Sequence, residues 1–350
     1  MSGCDPAFIP RGLPVTDYDA WTFLHAIARD SHVHGYAKHV LQPCVVVSHV
    51  RPDADTIGSA CVLVELIRRW GGVAVAVNGD GGVPASRFSV LDTERFYVPF
   101  DDIPSDPCAV VCVDTASLDR CGAAAALVDA ATERGRSLLI DHHETSTNFC
   151  SINWVEPNAD STTSMLASLL DIYSEPIDHM MATSLYAGLV TDTGSFRWGG
   201  PDQFSTADRL ASTGIDTQRI ASALIDDHSV SYLRMLGTVL VSLVYEPSAV
   251  HGRGLVWGVV PGEATHDVES VIDTVRTASE ANVAMVLKSD RPGEIVVSLR
   301  SRGAVNVARV AEKFGGGGHA RASGLTWRGS QSDFMEVFHR VVEAEEKSGR

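Results

Sequence analysis

The chain has 350 residues, of which 45% are hydrophobic and 21% are charged, and its formal net charge at pH 7 is −16. This length allows more than one domain, and the composition is typical of a globular protein that buries a core. The negative charge argues against a long basic track for nucleic acid, although metal ions could still offset the charge of a small anionic substrate.

The first part of the chain alternates β-branched apolar runs with helical segments. Strands are predicted for CVVVSH, VAVAVN, AVVCVD and SLLID, which begin at residues 44, 73, 109 and 137. A periodic helical segment follows the first run, and an Ala-rich one precedes the last. This alternation indicates a parallel sheet with helices on both faces. Residues 161–212 are predicted to form helices, interrupted by the polar loop TDTGSFRWGGPDQ.

The pattern changes after this helical region. Residues 213–235 are polar and weakly periodic, which predicts a helical linker. Further strands are predicted at 255–260, 281–289, 295–301 and 322–327, with helical segments between and after them. The sequence therefore predicts an α/β fold with a parallel-sheet catalytic domain, a linker and a smaller α/β substrate-binding domain, at residues 1–212, 213–235 and 236–350.

The cellular location is predicted from what the sequence lacks. No run is apolar and long enough to span a bilayer, and the segment MSGCDPAFIPRGLPV has no basic patch followed by an apolar core. The seven cysteines form no CxxC pair, and several lie in apolar runs, so we interpret them as small buried residues. We expect a cytoplasmic protein without a membrane partner, and a homodimer as the commonest state of a soluble enzyme.

Four segments rich in aspartate and histidine lie near the ends of predicted elements. Three of them lie at strand ends, where an open parallel sheet binds its ligands. Taken singly, each has a structural interpretation, such as a helix N-cap or an Asx turn. Four coincidences at element ends favour one shared site made of His49, Asp53, Asp55, Asp114, Asp141, His142, His143 and Asp192.

This mixture of side chains predicts a metal site. Imidazoles combined with carboxylates suit Mn, Fe, Co or Zn better than Ca or an all-oxygen Mg site. The five carboxylates exceed what one structural ion needs. They predict two divalent ions that share a bridging carboxylate, an arrangement that generates hydroxide at neutral pH and neutralises a phosphoryl group. The sequence therefore predicts hydrolysis of phosphate esters.

The four segments resemble the conserved motifs of the DHH phosphoesterase superfamily, and the run FGGGGHARASG at 314–324 resembles the GGGH motif of its DHHA1 domain. Together the motifs cover nearly the whole chain in the expected order. Within the superfamily the chain is similar to the NrnA type, which comprises bacterial oligoribonucleases (nanoRNases) that are also phosphatases of 3′-phosphoadenosine 5′-phosphate (pAp). The resemblance implies hydrolysis of short substrates such as pApA to 5′-mononucleotides, with cyclic di-AMP as a further candidate because actinobacterial members hydrolyse cyclic dinucleotides.

The resemblance also implies a role for each matching residue. Both ions are expected to be manganese. One would be held by His49, Asp53 and Asp114, and the other by Asp55, Asp114, His142 and Asp192. Asp114 would be the bridge, His143 would face the scissile phosphate, and Asp141 would orient its neighbours. Ala54 stands where the family often has glycine, and it should fit unless the position needs a positive φ.

The second domain supplies candidate substrate contacts. Gly-rich loops expose backbone N–H groups to phosphate, although a helix C-cap and a tight turn would also explain part of the glycine run. By resemblance, Gly317 and His319 line the substrate site. Arg300 and Ser301 are candidates for the terminal phosphate, since arginine binds phosphate in a bidentate way, but an ordinary surface charge stays open. Arg120 is a weaker candidate beside the metals.

Three other functions stay open. A manganese pyrophosphatase has similar metal motifs but a basic motif in place of GGGGH. A processive RecJ-type exonuclease normally has additional domains and a basic track. A nucleotide sensor that kept the fold would be expected to have lost metal ligands, whereas all of them are present here.

Overall fold

The computed structural model describes residues 13–14, 16–33, 42–262, 270–302 and 305–345. The chain divides into two compact units, with the boundary between Asp227 and His228. Each unit has its own sheet and its own hydrophobic core. The boundary lies inside the segment 213–235, and the domain limits drawn from the sequence stay predictions.

The first unit is built on a six-stranded sheet in which every pair of neighbours is parallel. Its order is β1-β6-β5-β4-β2-β3, with strands β1 (Leu13–Pro14), β2 (Cys44–Ser48), β3 (Ala74–Asn78), β4 (Ala109–Val113), β5 (Ser137–Asp141) and β6 (Ile152–Val155). The four strands predicted from β-branched runs are confirmed. The short strands β1 and β6 were not predicted, because neither has a long apolar run.

Helices cover both faces of this sheet, as expected for a parallel sheet. They are α1 (Asp17–Val33), α2 (Ala54–Arg69), α3 (Ala125–Glu133), α4 (Thr162–Ile172), α5 (His179–Asp192), α6 (Asp202–Ala211) and α7 (Thr217–Ala221). Alternate residues of β2 enter different cores. Val46 packs on one face with α2, while Val45 and Val47 pack on the other with α3.

Two glycines let α2, α4 and α5 pack closely. A methyl group on Gly58 of α2 would collide with the Ser184 carbonyl of α5. A methyl group on Gly188 of α5 would lie 2.6 Å from Cγ2 of Thr163 in α4, and closer still to a carboxylate oxygen of Asp55. The close packing therefore brings the first turn of α4 to the first turn of α2.

The second unit has a mixed six-stranded sheet of order β11-β12-β10-β9-β8-β7, in which only β8 and β9 are parallel. Its strands are β7 (Val244–Glu246), β8 (Leu255–Val260), β9 (Val283–Arg291), β10 (Glu294–Ser301), β11 (Gly317–His319) and β12 (Ala322–Arg328). Its helices are α8 (Val230–Val241), α9 (Ala249–Gly252), α10 (Val271–Val275), α11 (Val307–Glu312) and α12 (Gln331–Glu345). The α/β class predicted for this unit is confirmed, while β7 and β11 were not predicted.

The cysteines that the structure describes are buried and free, at positions 44, 61, 108, 112, 121 and 150. This agrees with their interpretation as small core residues, and Cys4 lies outside the described residues. Among the helices described, none combines the length and the apolar character needed to cross a membrane.

Candidate metal centre

Three adjacent strands bring the predicted residues to one edge of the first sheet. His49 follows β2, Asp114 follows β4 and Asp141 ends β5, and these strands are neighbours in the sheet. Because parallel strands end at the same edge, the three segments meet there. The start of α2 adds Asp53 and Asp55. The last residue of α5, Asp192, completes the group.

Asp114 lies at the centre of this group. Its oxygen Oδ2 is 3.5 Å from Nε2 of His49, and its oxygen Oδ1 is 3.4 Å from Nε2 of His142. The hydroxyl of Thr162 donates a hydrogen bond to Oδ1. The backbone of Asp114 has a φ of 54°, a left-handed conformation that costs on the order of 1 kcal/mol outside glycine. The two carboxylate oxygens therefore face two different clusters.

The first cluster consists of His49, Asp53 and Asp114, whose candidate ligand atoms all lie within 4.8 Å of one another. Nδ1 of His49 is 2.8 Å from the carbonyl oxygen of Val50, which requires an N–H there and leaves Nε2 to face the carboxylates. Asp53 uses Oδ1 to cap α2, accepting from the N–H groups of Asp55 and Thr56. Its Oδ2 lies 3.6 Å from Nε2 of His49.

The second cluster consists of Asp55, His142 and Asp192, again with all candidate ligand atoms within 4.8 Å of one another. Nε2 of His142 lies 3.1 Å from Asp192 and 3.9 Å from Asp55. Nδ1 of His142 lies 3.2 Å from the Ala159 carbonyl, which orients the ring. The first cluster contains the residues of the first ligand set that the resemblance implies, and the second contains three of the four residues of the second set, with Asp114 approaching it through His142. The ligand roles stay a prediction.

Asp55 is held by α4, a contact that no pattern in the sequence predicts. Its side chain is fully buried, and Oδ2 accepts from the Thr162 N–H at 2.7 Å. Oδ1 accepts from the N–H and the hydroxyl of Thr163 at 2.9 and 2.6 Å. The carboxylate therefore lies at the N-terminus of α4, where the helix dipole favours negative charge. The only sequence signal is the cap of that helix, in which Ser161 and Ser164 form a capping box.

His143 pairs with Asp141, which ends β5. Nδ1 of His143 donates to Oδ1 of Asp141 at 2.7 Å, so this nitrogen carries the proton. The His143 side chain is 17% exposed, against 4% for His142. Oδ2 of Asp141 is buried and has no hydrogen-bond partner among the described residues. The adjacent histidines thus face different surroundings.

The charge balance of the site fits a cation. Burial and Arg120 both lower the pKa of His49, but Asp114 and Asp53 outweigh them and raise this pKa to about 10. Burial likewise disfavours charge on His142, yet Asp114 and Asp192 hold its pKa well above the ordinary value. The pKa of Asp55 is raised by burial and by the neighbouring carboxylates. The two imidazoles therefore retain protons, which divalent ions bound by the same donors would replace.

Arg120 lies beside the first cluster. Its Nη2 is 3.1 Å from Nδ1 of His49, and its carbonyl accepts from the Val50 N–H. The 3₁₀ turn that carries it, Leu118–Ala124, packs closely because Gly122 has a φ of 53°. A methyl group on Gly122 would lie 2.9 Å from the Gly79 carbonyl carbon. Nε of Arg120 is buried and has no partner in the described structure.

Arg300 and His319 lie on the same face of the second sheet. Both pair with Ala322 of β12, Arg300 from β10 and His319 from β11, and directly opposed residues share a face. Nε of Arg300 lies 3.5 Å from Oδ1 of Asp273, which also accepts from Nε of Arg276 at 3.1 Å. Asp273 therefore holds two arginines near this face.

The other two candidates of the second unit have structural contacts. The hydroxyl of Ser301 donates to the Val305 carbonyl at 2.5 Å. Gly317 pairs with Gly324 of β12. The glycines around it have conformational reasons of their own, since Gly315 and Gly318 have φ values of 75° and 136°. Turn geometry thus explains more of the glycine run than the sequence suggested, and its contact with phosphate stays a prediction.

Ala54 fits its position without strain. It is the first residue of α2, with helical backbone, and its side chain is buried. The left-handed residue of this segment is Arg51, with a φ of 53°. A glycine is therefore not required between Asp53 and Asp55.

Residues 43–189 match the family model described as "DHH family, N-terminal domain", and residues 253–346 match that of the DHHA1 domain. Over 320 residues the chain is 29% identical to the bifunctional oligoribonuclease and PAP phosphatase NrnA of Thermus thermophilus, which covers 88% of this chain and 90% of that protein. It is 28% identical over 220 residues to the cyclic-di-AMP phosphodiesterase GdpP of Geobacillus thermodenitrificans, covering 59% of this chain and 32% of that protein.

A solved structure shares the fold. The exopolyphosphatase-related protein from Bacteroides fragilis superposes with a TM-score of 0.75 at 24% identity, over 95% of this chain and 96% of that one. At this level of identity the likeness establishes the architecture.

Proposed function

We propose that this chain, which belongs to the DHH family and carries a DHHA1 domain, is a metal-dependent phosphoesterase that hydrolyses very short oligoribonucleotides to 5′-mononucleotides and removes the 3′-phosphate of pAp. The observation that carries the proposal is the position of Asp114, whose two oxygens face two separate groups of imidazole and carboxylate donors. The NrnA relative has both activities in its name. Relatives named as cyclic-di-AMP phosphodiesterases support cyclic di-AMP as a further substrate.

Two divalent ions, proposed to be manganese, would occupy these donor groups. His49, Asp53 and Asp114 would hold one ion, and Asp55, Asp114, His142 and Asp192 would hold the other. When bound, they supply hydroxide at neutral pH and neutralise the phosphoryl oxygens. Asp114 serves both, because its carboxylate is fixed between the clusters by the Thr162 hydroxyl.

The pair His143–Asp141 would donate the proton to the leaving group. The hydrogen bond from Nδ1 of His143 to Asp141 fixes the tautomer and stabilises an imidazolium ring, since Asp141 is buried. His143 would then give a proton from Nε2 to the oxygen that leaves the phosphorus. Asp141 acts by orienting His143, and the charge of His143 in turn lowers the pKa of Asp141 against the effect of burial.

The second unit would hold the rest of the substrate. Arg300 and His319 share one face of the sheet and would contact the terminal phosphate. Gly317 and Ser301 are the further proposed contacts, and Ser301 would have to exchange its hydrogen bond to the Val305 carbonyl for one to the phosphate. Arginine is suited to this role because it presents two parallel donors to a phosphate. In the first unit, Arg120 would add a positive charge beside the first metal position.

A substrate panel with Mn²⁺ tests this function. The purified protein should hydrolyse pApA and pAp faster than pyrophosphate or long single-stranded DNA, and cyclic di-AMP is the further substrate to compare. A preference for pyrophosphate would favour the pyrophosphatase alternative. Equal turnover of a long single strand and a dimer would favour a RecJ-like exonuclease.

Asp114→Ala provides the decisive variant. We expect both activities to fall by at least about 100-fold, the loss that even outer partners of a metal ligand can cause. Asp101→Ala, which removes an exposed aspartate of the same unit, should leave them unchanged. Thermal unfolding would confirm that both variants fold. Full biological activity of a folded Asp114→Ala protein would instead support the nucleotide sensor.

We also propose that residues 1–212 and 236–350 are the catalytic and substrate-binding domains, joined by residues 213–235. Limited proteolysis should cut inside the joining segment. The buried free thiols suit the reducing cytoplasm, where we propose that the enzyme works as a homodimer. Cell fractionation and light scattering of the eluted protein would test these two statements.

A further inference from the structure

The segment directly after Asp192 has an unusual backbone. Gly194, Ser195 and Phe196 all adopt left-handed conformations, with φ values of 55°, 62° and 61°. One left-handed residue would be enough to end α5. Two consecutive non-glycine residues in this region are costly, and such strain clusters at functional sites. The conformation therefore needs a reason beyond ending the helix.

The strained turn fixes the ring of Trp198. Its indole Nε1 donates to the carbonyl oxygen of Asp192 at 2.5 Å. The ring lies directly on Gly194, since a methyl group there would be 2.7 Å from Cζ3 of the indole and closer still to other ring atoms. Phe196 packs between Tyr186 and Phe204, which anchors the turn to α5 and α6. Trp198 is thus attached to the main chain of a candidate metal ligand.

The ring of Trp198 is partly open to solvent and lies against the positively charged guanidinium of Arg197. Trp198 is 38% exposed, and Cζ of Arg197 lies 5.4 Å from its ring centroid. Arg197 is also exposed, and its Nε donates to the Gly194 carbonyl. The net charge of the chain is −16, so an arginine against an exposed aromatic ring is a local exception. Beside a candidate phosphate site, this pair could bind a ligand that has both an aromatic ring and a negative charge.

We propose that Trp198, together with Arg197, is the surface on which a nucleobase of the substrate stacks while the attached phosphate lies at the metal centre. One ribose separates a base from its phosphate, and one hydrogen bond joins the indole to the main-chain carbonyl of Asp192, the residue whose carboxylate is the candidate ligand. Base stacking on an aromatic ring tolerates any base, so the surface selects nucleotides over inorganic phosphates without selecting a sequence. This inference rests on the proposed function and adds a base-binding site to it.

Two variants and two substrates test the inference. For pApA, Trp198→Ala should raise KM by about 5- to 100-fold with little change in kcat, the range expected for one lost base stack. Trp198→Phe, which keeps a ring, should have a smaller effect. In the abasic analogue of pApA, a tetrahydrofuran ring replaces each nucleoside, so no base is present. Both variants should have the same KM as the wild type for this analogue. Tyr18→Ala, which removes a 63% exposed ring of α1, is the matched control and should leave KM unchanged.

Equilibrium binding completes the test. AMP should quench tryptophan fluorescence in the wild type, and this quenching should be lost in Trp198→Phe. An unchanged KM for pApA in Trp198→Ala would overturn the inference, and so would an equal loss on the abasic analogue, which would indicate that Trp198 only supports Asp192. If the wild type hydrolysed neither pApA nor pAp, the proposed function would fail, while the AMP titration would still decide whether Trp198 stacks on a base.

Discussion

Gly188→Ala tests whether the packing of α2, α4 and α5 holds Asp55 in place. The added methyl group would lie 2.6 Å from Cγ2 of Thr163, and closer still to Oγ1 of Thr163 and Oδ1 of Asp55. Carbon atoms in contact normally stay about 3.5–4.0 Å apart. The methyl group therefore collides with the hydrogen bond of 2.6 Å that joins Thr163 to Asp55.

Three contributions set the size of the effect. Overpacking a core costs about 1–3 kcal/mol, and losing a hydrogen bond to a charged group costs about 1.5–3 kcal/mol. Alanine gains about 1 kcal/mol over glycine in a helix. We expect the free energy of unfolding of Gly188→Ala to fall by about 2–4 kcal/mol, taking the partial overlap of the first two contributions into account. Displacement of Asp55 should also weaken Mn²⁺ binding by about 10- to 100-fold.

Urea denaturation of the metal-free protein and calorimetric titration with Mn²⁺ measure these two effects. Gly237→Ala in α8 is the control, because no atom lies within 4 Å of the added methyl group. It should stabilise the protein by up to about 1 kcal/mol and leave Mn²⁺ affinity unchanged. Wild-type stability of Gly188→Ala would refute the packing argument. Lower stability with unchanged affinity would refute the role of Asp55 as a ligand.

Three further results are expected. Mn²⁺ binding should release protons and strengthen as pH rises towards 10, because the metal-free fold holds the pKa of His49 at about 10. Calorimetric titration in buffers of different ionisation enthalpy measures the number of protons released. If no protons were released, the charge balance described for the site would be wrong. Asp273→Asn should raise KM for pApA several-fold with kcat retained, since Arg300 loses its partner; unchanged KM would remove Asp273 from substrate binding. His143→Gln and Asp141→Asn should both lower kcat while Mn²⁺ affinity stays near wild type, and a large loss of affinity would make them ligands.

The sheet edge that carries the candidate metal centre could be predicted from the sequence because short, continuous sequence patterns specify it. The runs that form β2, β4 and β5 are fully buried on both faces, and they therefore show up as continuous apolar stretches. Each is followed or ended by a polar residue, namely His49, Asp114 or Asp141. Parallel neighbours must end at the same edge, so convergence follows without any knowledge of the helices.

The supports of the site could not be predicted because they join distant segments. Thr163 binds Asp55 across 108 residues of sequence, and no local pattern marks either residue as the partner of the other. The role of Gly188 depends on what lies opposite it in space. The strand β11 was missed for a different reason: it consists of Gly317, Gly318 and His319, and glycine has no side chain from which a strand pattern could be recognised.

The buried carboxylates of the site are not all paired with donors or positive charges from the rest of the first unit. Burying an unpaired carboxylate costs several kcal/mol, and the structure meets part of this cost with the α4 N-terminus at Asp55 and with imidazoles at Asp114. Burial nevertheless raises the pKa of Asp55 and of Asp192 above the usual range, and Oδ2 of Asp141 stays without a partner in the described structure. Ions bound here would remove this penalty. The free energy of metal binding would then contribute directly to the stability of the first unit, and the sequence that specifies catalysis would also make folding depend on the metal.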